Sequence, residues 1–202
     1  MISWIVASHD LLIFDANLRP TIPAEDELVL VENAPSIAVA YNEGQARSTQ
    51  PIRCYVHHDV QILEQEALRQ ALIEGCTSAG VDVVGVIGSR TRTMPWWLGD
   101  KLGSVKDGRL GLIDFGAGGP CSYLDGLLLA SAQHLEWDET YPGWHGYDHD
   151  ICEQALRRNR VNLCLSGGHN LVSHNATSST AMTQVNGWFE AEQRFTQKWS
   201  TA

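Results

Sequence analysis

Residues 52–87 read IRCYVHHDVQILEQEALRQALIEGCTSAGVDVVGVI, and this stretch decides the fold class. Its apolar run Ile52–Val56 predicts a buried strand, and the β-branched run Val81–Ile87 predicts another. Between them, residues 64–78 predict a helix that Gly80 ends. The apolar stripe of this helix consists of Leu63, Ala67, Leu68, Ala71, Leu72 and Cys76. A strand, a helix and a strand in this order are typical of parallel strands joined by a crossover helix.

The same alternation extends toward the amino end. Ile2–Ser8 and Leu28–Val31 are short apolar runs with the pattern of strands, and Ser36–Arg47 has the pattern of a helix. Together with residues 52–87, these segments predict an α/β fold in which helices flank one central, mostly parallel sheet.

The second half of the chain is less regular at first. Glycines and two adjacent tryptophans interrupt residues 89–119, which predicts an irregular functional loop or lid. Further elements are predicted as a strand over Cys121–Leu124, a helix over Asp150–Asn159, a strand over Val161–Leu165 and a helix over Gly187–Trp199. No repeat or linker divides the chain, so we expect a single domain over residues 1–202.

Composition narrows the class of protein. With 44% hydrophobic and 19% charged residues, the chain is typical of a globular domain. Its formal net charge of -10 disfavours non-specific binding to nucleic acid or to an anionic membrane. No apolar run approaches the ~20 residues of a transmembrane helix, and the amino end lacks a signal peptide pattern. The five cysteines form no CxxC pair, so we expect reduced thiols and a cytoplasmic protein.

A histidine-rich motif, His57-His58-Asp59, directly follows the predicted strand Ile52–Val56. In an extended chain, His57 and Asp59 share one face. The carboxyl ends of parallel strands are where ligands bind in α/β sheets, and an imidazole with a carboxylate can hold a divalent cation. The alternative is a polar strand end whose side chains are simply solvated.

A second cluster, WHGYDHD at residues 144–150, comes just before a predicted helix. Asp150 suits the N-cap of that helix. Asp148 would lie near the positive end of the helix dipole, where it stays ionised and can accept a proton from a substrate hydroxyl. Trp144 and His145 lie beside it and are candidates for binding a sugar acceptor.

Two further residues have both a functional and a structural interpretation. Asp125, which Gly126 follows, could bind sugar hydroxyls at a strand end or could simply form a turn. His174 follows the strand-like run Leu171–Ser173 and becomes a ligand only if the fold returns it to the first cluster. The sequence contains no phosphate-binding loop, dinucleotide fingerprint, nucleophile elbow or zinc-ribbon spacing.

Taken in order, several segments resemble a known enzyme family. VENAPS at 31–36, AYNEG at 40–44 and VHHDV at 56–60 resemble the start of GT-A-fold, family-2-like glycosyltransferases. Later segments that fit the same glycosyltransferase-like group are LDG at 124–126, WHGYDHDIC at 144–152 and VSHN at 172–175. The similarity spans most of the chain, from about Ile2 to Trp199.

The resemblance implies that the two halves of the chain have different functions. Residues 1–88 would form a nucleotide-binding half, and residues 120–202 an acceptor and catalytic half on the other side of the predicted lid. The nucleotide pocket implied by the resemblance is lined by Ser8, Glu32, Asn33 and Asn42.

The resemblance also assigns roles to the clusters. Asp59 matches the carboxylate that reaches the metal and the diphosphate, while His57 stands in place of the first aspartate of the usual Asp-x-Asp. His174 falls where some relatives have a further metal ligand. Asp148 matches the base of inverting members, which usually carry Glu-Asp where this chain has Tyr147-Asp148.

These features predict a metal-dependent, inverting glycosyltransferase, either a hexosyl- or a pentosyltransferase. It would use Mn²⁺ or Mg²⁺ to move a sugar from a nucleotide-diphosphate sugar to an acceptor hydroxyl. One alternative is a metallohydrolase in which His57, Asp59, Asp148 and His174 gather metal around a water molecule. Another is a non-catalytic domain that only binds nucleotide sugars.

Overall fold

The computed structural model describes residues 1–175 and 184–200, with side chains in the second segment described from residue 187 onward. The helices are α1 (Leu11–Ala16), α2 (Ile37–Arg47), α3 (Gln65–Thr77), α4 (Tyr147–Arg157), α5 (Gly168–Leu171) and α6 (Gln184–Trp199). The strands are β1 (Ile2–Ser8), β2 (Glu27–Glu32), β3 (Ile52–His57), β4 (Val60–Ile62), β5 (Val81–Gly85), β6 (Ile87–Ser89), β7 (Lys101–Asp107), β8 (Gly111–Asp114), β9 (Gly119–Cys121), β10 (Tyr123–Leu124), β11 (Leu128–Ser131), β12 (Val161–Cys164) and β13 (Val172–His174). Short 3-10 turns cover Arg19–Thr21 and Trp96–Leu98.

A seven-stranded sheet in the order β2-β1-β3-β11-β5-β12-β9 forms the centre of the described structure. β1 pairs in parallel with β2 and β3, and β5 pairs in parallel with β12. β11 lies antiparallel between β3 and β5, and β9 is antiparallel at one edge. Most strands therefore run in one direction, although half of the neighbouring pairs are antiparallel. The predicted α/β fold is confirmed.

Helices cover both faces of this sheet. Gly44 of α2 lies against the side chain of Ile5, and Gly75 of α3 lies against Val84. Across the paired strands, Ile5 aligns with Gly85, the neighbour of Val84. Because successive strand residues point to opposite faces, α2 and α3 pack on opposite sides of the sheet.

A second sheet has the order β10-β6-β7-β13-β4, with β8 paired to β7. The chain leaves the first sheet at His57 and enters the second at Val60, so the His57-His58-Asp59 motif lies at the crossing point. β13 lies between β4 and β7, which brings His174 at the carboxyl end of β13 next to that motif.

Several predicted elements have different bounds or a different nature. The prediction of an irregular loop over residues 89–119 is wrong, because β7 and β8 form an antiparallel pair there and β9 joins the first sheet. The single strand predicted over residues 81–87 is divided between β5 and β6, which belong to different sheets. The predicted helix over residues 64–78 is α3, although Leu63 and Ala67 of its expected apolar stripe are exposed.

None of the described helices is long and apolar enough to cross a membrane.

Candidate functional site

Three parallel strands end together at one edge of the first sheet. Ser8, the last residue of β1, is paired with Glu32, the last residue of β2. On the other side of β1, Ala7 is paired with His57, the last residue of β3. Strand carboxyl ends thus place Ser8, Glu32 and His57 at a common edge, where ligands of α/β sheets bind.

The antiparallel strand β11 brings a loop to the same edge. Because β11 runs opposite to β3, its first residues lie beside the end of β3. The amide of His57 donates a 3.0 Å hydrogen bond to the carbonyl of Leu127. Asp125 and Gly126, which precede Leu127, therefore lie near the histidine-rich motif.

The second sheet supplies His174. The amide of Asn175 donates to the carbonyl of Asp59 at 2.8 Å, and His174 is paired with Val60. As a result, His174 Nε2 lies 3.5 Å from Asp59 Oδ1. One ligand atom from each of His57, Asp59 and His174 lies within 4.8 Å of the others.

Each histidine of this cluster has an outer partner. His57 Nε2 lies 2.7 Å from the hydroxyl of Tyr147, and His174 Nδ1 lies 3.4 Å from Asp107 Oδ2. On each ring, one nitrogen is engaged in this way and the other is left for a further partner. Histidines that bind metals commonly have such an outer partner, which fixes the orientation of the ring.

The pKa values of His57, Asp59 and His174 are set by burial and by the charges that these side chains exert on one another. Burial alone would raise the pKa of Asp59, but His174 and His57 together hold it well below its usual range. Burial tends to lower the pKa of His174, but contact with Asp59 and the charges of Asp125 and Asp107 raise it. Burial lowers the pKa of His57 despite the nearby Asp59. Asp59 is thus an anion facing two imidazoles.

One buried carboxylate oxygen of the cluster, Oδ1 of Asp59, lacks a hydrogen bond. Asp59 Oδ1 is buried and accepts none, because His174 Nε2 at 3.5 Å is an ion-pair contact beyond normal hydrogen-bond length. Leaving a buried anionic oxygen without a partner is costly. A divalent cation held by Asp59, His174 and His57 would satisfy this atom, so these residues fit such an ion.

Asp148 lies in the first turn of α4, and not before the helix as the sequence suggested. The helix starts at Tyr147, after Gly146 with φ 77°. Asp148 Oδ2 accepts from the amide of Gly126 at 3.2 Å. Its Oδ1 accepts from the amide and from Nδ1 of His149, both at 2.9 Å. Burial tends to raise the pKa of Asp148, but these donors hold it below its usual value, so the carboxylate is ionised.

The N-cap predicted for Asp150 is wrong. No side chain caps α4, and Asp150 is buried within its first turn. Its carboxylate accepts hydrogen bonds from the Tyr141 hydroxyl at 3.1 Å and from Trp199 Nε1 and Lys198 Nζ, both at 2.9 Å. Asp150 therefore ties α4 to α6.

Asp125 also faces the site, and its pKa is shifted in the opposite direction from that of Asp148. Its Oδ2 accepts from the indole of Trp96 at 3.0 Å, and its Oδ1 from the amide of Leu127 at 2.9 Å. Burial and repulsion from Asp148 raise the pKa of Asp125. The pKa values of the two carboxylates are thus moved in opposite directions, and Asp148 is the more readily ionised of the two.

The residues predicted to line the nucleotide pocket are only partly together. Ser8 Oγ lies 2.8 Å from His58 Nδ1, and the amide of Asn33 donates to the carbonyl of Ser8 at 3.0 Å. Glu32 and Asn33 are exposed at this edge. Asn42 instead donates to the carbonyl of Trp137 at 2.9 Å and to Glu139 at 2.8 Å, so it supports another loop.

The two predicted acceptor residues are near the carboxyl-terminal helix and the strand ends. The ring of Trp144 lies 5.6 Å from that of His9, which in turn lies 4.9 Å from His58. His145 lies close to Gly187 of α6. Their acceptor role stays a prediction.

With this geometry established, comparison with known proteins identifies the family. The model of a glycosyltransferase-like family matches residues 13–199. The chain belongs to that family. No curated protein sequence matches it significantly.

Two solved structures resemble the fold of this glycosyltransferase-like protein. The crystal structure of A197 from STIV is 13% identical, with a TM-score of 0.53 over 87% of this chain and 86% of that one. The mannosyltransferase PcManGT from Pyrobaculum calidifontis, solved with GDP-Man and Mn²⁺, is 13% identical, with a TM-score of 0.57 over 91% of this chain. The alignment spans 59% of the length of the mannosyltransferase chain.

Four residues around the site of this glycosyltransferase-like protein were not among the site residues predicted from the sequence. Tyr147 and His149 flank Asp148, and their position beside a candidate base was the available signal. Asp107 and Trp96 come from the stretch predicted to be a loop, where Trp96 stood out only as one of two adjacent tryptophans and nothing local marks Asp107. Only strand pairing brings Asp107 beside His174, with which it is in register.

Proposed function

We propose that this chain is a divalent-metal-dependent, inverting glycosyltransferase that moves a sugar from a nucleotide-diphosphate sugar to an acceptor hydroxyl. The observation that carries the proposal is the cluster of His57, Asp59 and His174 at the strand ends, with its buried, unbonded carboxylate oxygen. Family membership gives the class of reaction.

The donor is proposed to bind along the edge formed by Ser8, Glu32 and Asn33. The net charge of -10 works against a diphosphate anion, so local positive charge is needed. A cation at Asp59 would neutralise the diphosphate as it leaves. The similar fold of a mannosyltransferase solved with GDP-Man and Mn²⁺ supports testing a GDP-hexose first.

The acceptor hydroxyl is proposed to lose its proton to Asp148. This carboxylate is ionised and held by hydrogen bonds to Gly126 and His149. Attack from the side opposite to the diphosphate gives inversion in a single displacement, with Asp148 taking the proton. Asp125, with its raised pKa, is proposed to bind sugar hydroxyls, and Trp144 and His145 to contact the acceptor.

The types of ligand atom in the His57, Asp59 and His174 cluster also bear on the choice of cation. Imidazole nitrogen favours transition metals, whereas Mg²⁺ prefers oxygen ligands. A site with His57 and His174 beside a single carboxylate therefore favours Mn²⁺ or a later transition metal over Mg²⁺. Of the two cations expected from the sequence, we propose Mn²⁺.

The test is a thermal-shift panel of nucleoside diphosphates with and without Mn²⁺. A ligand at about 100 times its Kd adds about 2.7 kcal/mol to the stability of the folded state. We expect one diphosphate to raise the Tm only when Mn²⁺ is present. Stabilisation by the diphosphate alone, equal with and without Mn²⁺, would contradict metal dependence.

The same three metal ligands support a metallohydrolase as a second candidate, because two imidazoles and a carboxylate also hold zinc in hydrolases. Incubating the Zn²⁺-loaded and Mn²⁺-loaded proteins with GDP separates the two functions. Release of inorganic phosphate would favour the hydrolase. Release of GDP from GDP-mannose that occurs without phosphate, requires an added acceptor and leaves the mannosyl group on that acceptor supports transfer.

A further inference from the structure

His149 is buried between the main-chain amide of Trp96 and the carboxylate of Asp148. The amide of Trp96 donates a 3.1 Å hydrogen bond to His149 Nε2. His149 Nδ1 lies 2.9 Å from Asp148 Oδ1. An amide N–H can only donate, so Nε2 must be the unprotonated nitrogen. In the neutral ring, Nδ1 then carries the hydrogen and donates it to Asp148.

We propose that His149 is a positioning residue that holds the Asp148 carboxylate, and that the main-chain amide of Trp96 selects the tautomer which makes this possible. The inference rests on the proposed role of Asp148 as base. His149 itself exchanges no proton with the substrate.

The ring of His149 is held in place from two further sides. The ring of Tyr123 lies 5.0 Å from it, and that of Phe195 of α6 lies 6.1 Å from it. Flipping the imidazole would place Cε1 against the amide of Trp96 and Cδ2 against Asp148, so both hydrogen bonds of the ring would be lost. The packing and the amide therefore favour the same orientation.

Trp96 acts on both acidic groups of the site. Its indole donates to Asp125 Oδ2, and its amide fixes the ring that donates to Asp148. The short turn Trp96–Leu98 thus orients two carboxylates whose pKa values are moved in opposite directions. Burial and the charge of Asp148 raise the pKa of Asp125, which keeps it as a group that binds through hydrogen bonds. His149 and the amide of Gly126 hold the pKa of Asp148 down, which keeps it as the acceptor of a proton.

A histidine that only fills the core predicts a different result from a positioning residue. Replacing His149 by Leu keeps a buried apolar side chain but removes the donor to Asp148. Replacing it by Asn restores an N–H donor close to the position of Nδ1. A core role predicts that both variants leave the Asp148 carboxylate unchanged, whereas a positioning role predicts loss in H149L and recovery in H149N.

The first measurement is ¹⁵N NMR of the imidazole in the wild-type protein. We expect the Nδ1-protonated neutral tautomer, and finding the Nε2-protonated tautomer would overturn the inference. This result needs no variant that must fold.

The second measurement is the titration of the ¹³C-labelled Asp148 carboxyl in the two variants. We expect its pKa to rise by about one unit in H149L and to return toward the wild-type value in H149N. Asp125, His57 and Tyr147, whose own pKa values respond to the charge of Asp148, are unchanged in both variants. An equal carboxyl pKa in wild type and H149L would refute the positioning role.

These outcomes are separate from a failure of the proposed function. If D148N retains glycosyl transfer, Asp148 is not the base, although the tautomer of His149 is unaffected by that result. If D148N abolishes transfer while His149 is Nε2-protonated, the base assignment stands and only the present inference fails.

Discussion

The imidazole of His174 lies between two carboxylates, with Nε2 3.5 Å from Asp59 Oδ1 and Nδ1 3.4 Å from Asp107 Oδ2. Asp59 lies two residues after His57, the last residue of β3 in the first sheet, and Asp107 ends β7 of the second sheet. Asp107 is itself held by the amides of Arg109 and Leu110, each at 2.9 Å. The ring is therefore fixed from outside while its other nitrogen faces Asp59, which is the arrangement that orients a metal ligand.

Replacing Asp59 by Asn should abolish the stabilisation that Mn²⁺ confers together with a nucleoside diphosphate. The variant removes the anionic oxygen that hard cations prefer. The measurement is the Tm with and without both ligands. D114N is the matched control, because Asp114 is exposed on β8 and its side chain accepts a local hydrogen bond from the amide of Gly116. Equal shifts in D59N and wild type would remove Asp59 from the site.

Replacing either outer partner should weaken Mn²⁺ binding without removing a ligand. In Y147F, His57 Nε2 loses its hydroxyl partner, and in D107N the charge beside His174 Nδ1 is lost. Loss of such partners typically lowers metal affinity about 10–100-fold. Isothermal titration with MnCl₂ in the presence of GDP measures the change. Unaltered affinity in both variants would show that the two contacts are only structural.

Replacing His57 by Asp should change which cation the site prefers. An added carboxylate oxygen suits Mg²⁺ better than an imidazole does. We expect the ratio of Mn²⁺ to Mg²⁺ affinity to fall in H57D, measured by displacement of Mn²⁺ with Mg²⁺ in electron paramagnetic resonance. H134D, a change in the loop that follows β11, serves as the control for added charge. A ratio that does not change would exclude His57 from selecting the ion.

Substitutions of the two aspartates at the start of α4 should have different effects, with D148N lowering activity and D150N lowering stability. D148N is expected to lower kcat by roughly 10²–10⁴, the usual size of general-base catalysis, with donor affinity nearly intact. D150N leaves the proposed base in place but disturbs buried bonds to Tyr141, Lys198 and Trp199, and should lower stability by about 1–3 kcal/mol. Urea unfolding and transfer assays on both variants test this, and the opposite pattern would exchange the roles.

Adding a methyl group at Gly126 should disturb the site through Tyr147. A Cβ at Gly126 would overlap with the Tyr147 hydroxyl, which contacts His57. Overpacking of this kind typically costs about 1–3 kcal/mol. Thermal unfolding of G126A should show this loss, together with weaker Mn²⁺ binding. G187A is the control, since a Cβ at this position of α6 meets only an ordinary contact, with the ring of His145 at 3.7 Å. A G126A protein as stable as G187A would contradict the close approach.

Local pattern determined much of the amino-terminal half. The apolar runs and helical stripe predicted β1, β2, α2, β3 and α3, because strands of such sheets appear as short apolar runs and an amphipathic helix leaves a clear period in the sequence. The His57-x-Asp59 spacing also followed from local geometry, since alternate residues of a strand share a face. The family resemblance, confirmed by the match over residues 13–199, pointed to the same residues.

What the sequence could not determine is how distant strands pair. β11 enters the centre of the first sheet antiparallel, and the hairpin of β7 and β8 replaces the expected lid. The pairing of β13 with β4 and β7 alone brings His174 between Asp59 and Asp107. Likewise, Asp150 lost its expected N-cap role because Gly146 starts α4 earlier. Short strands carry no local signal for their partners, because register is set by burial and hydrogen bonding across the folded sheet.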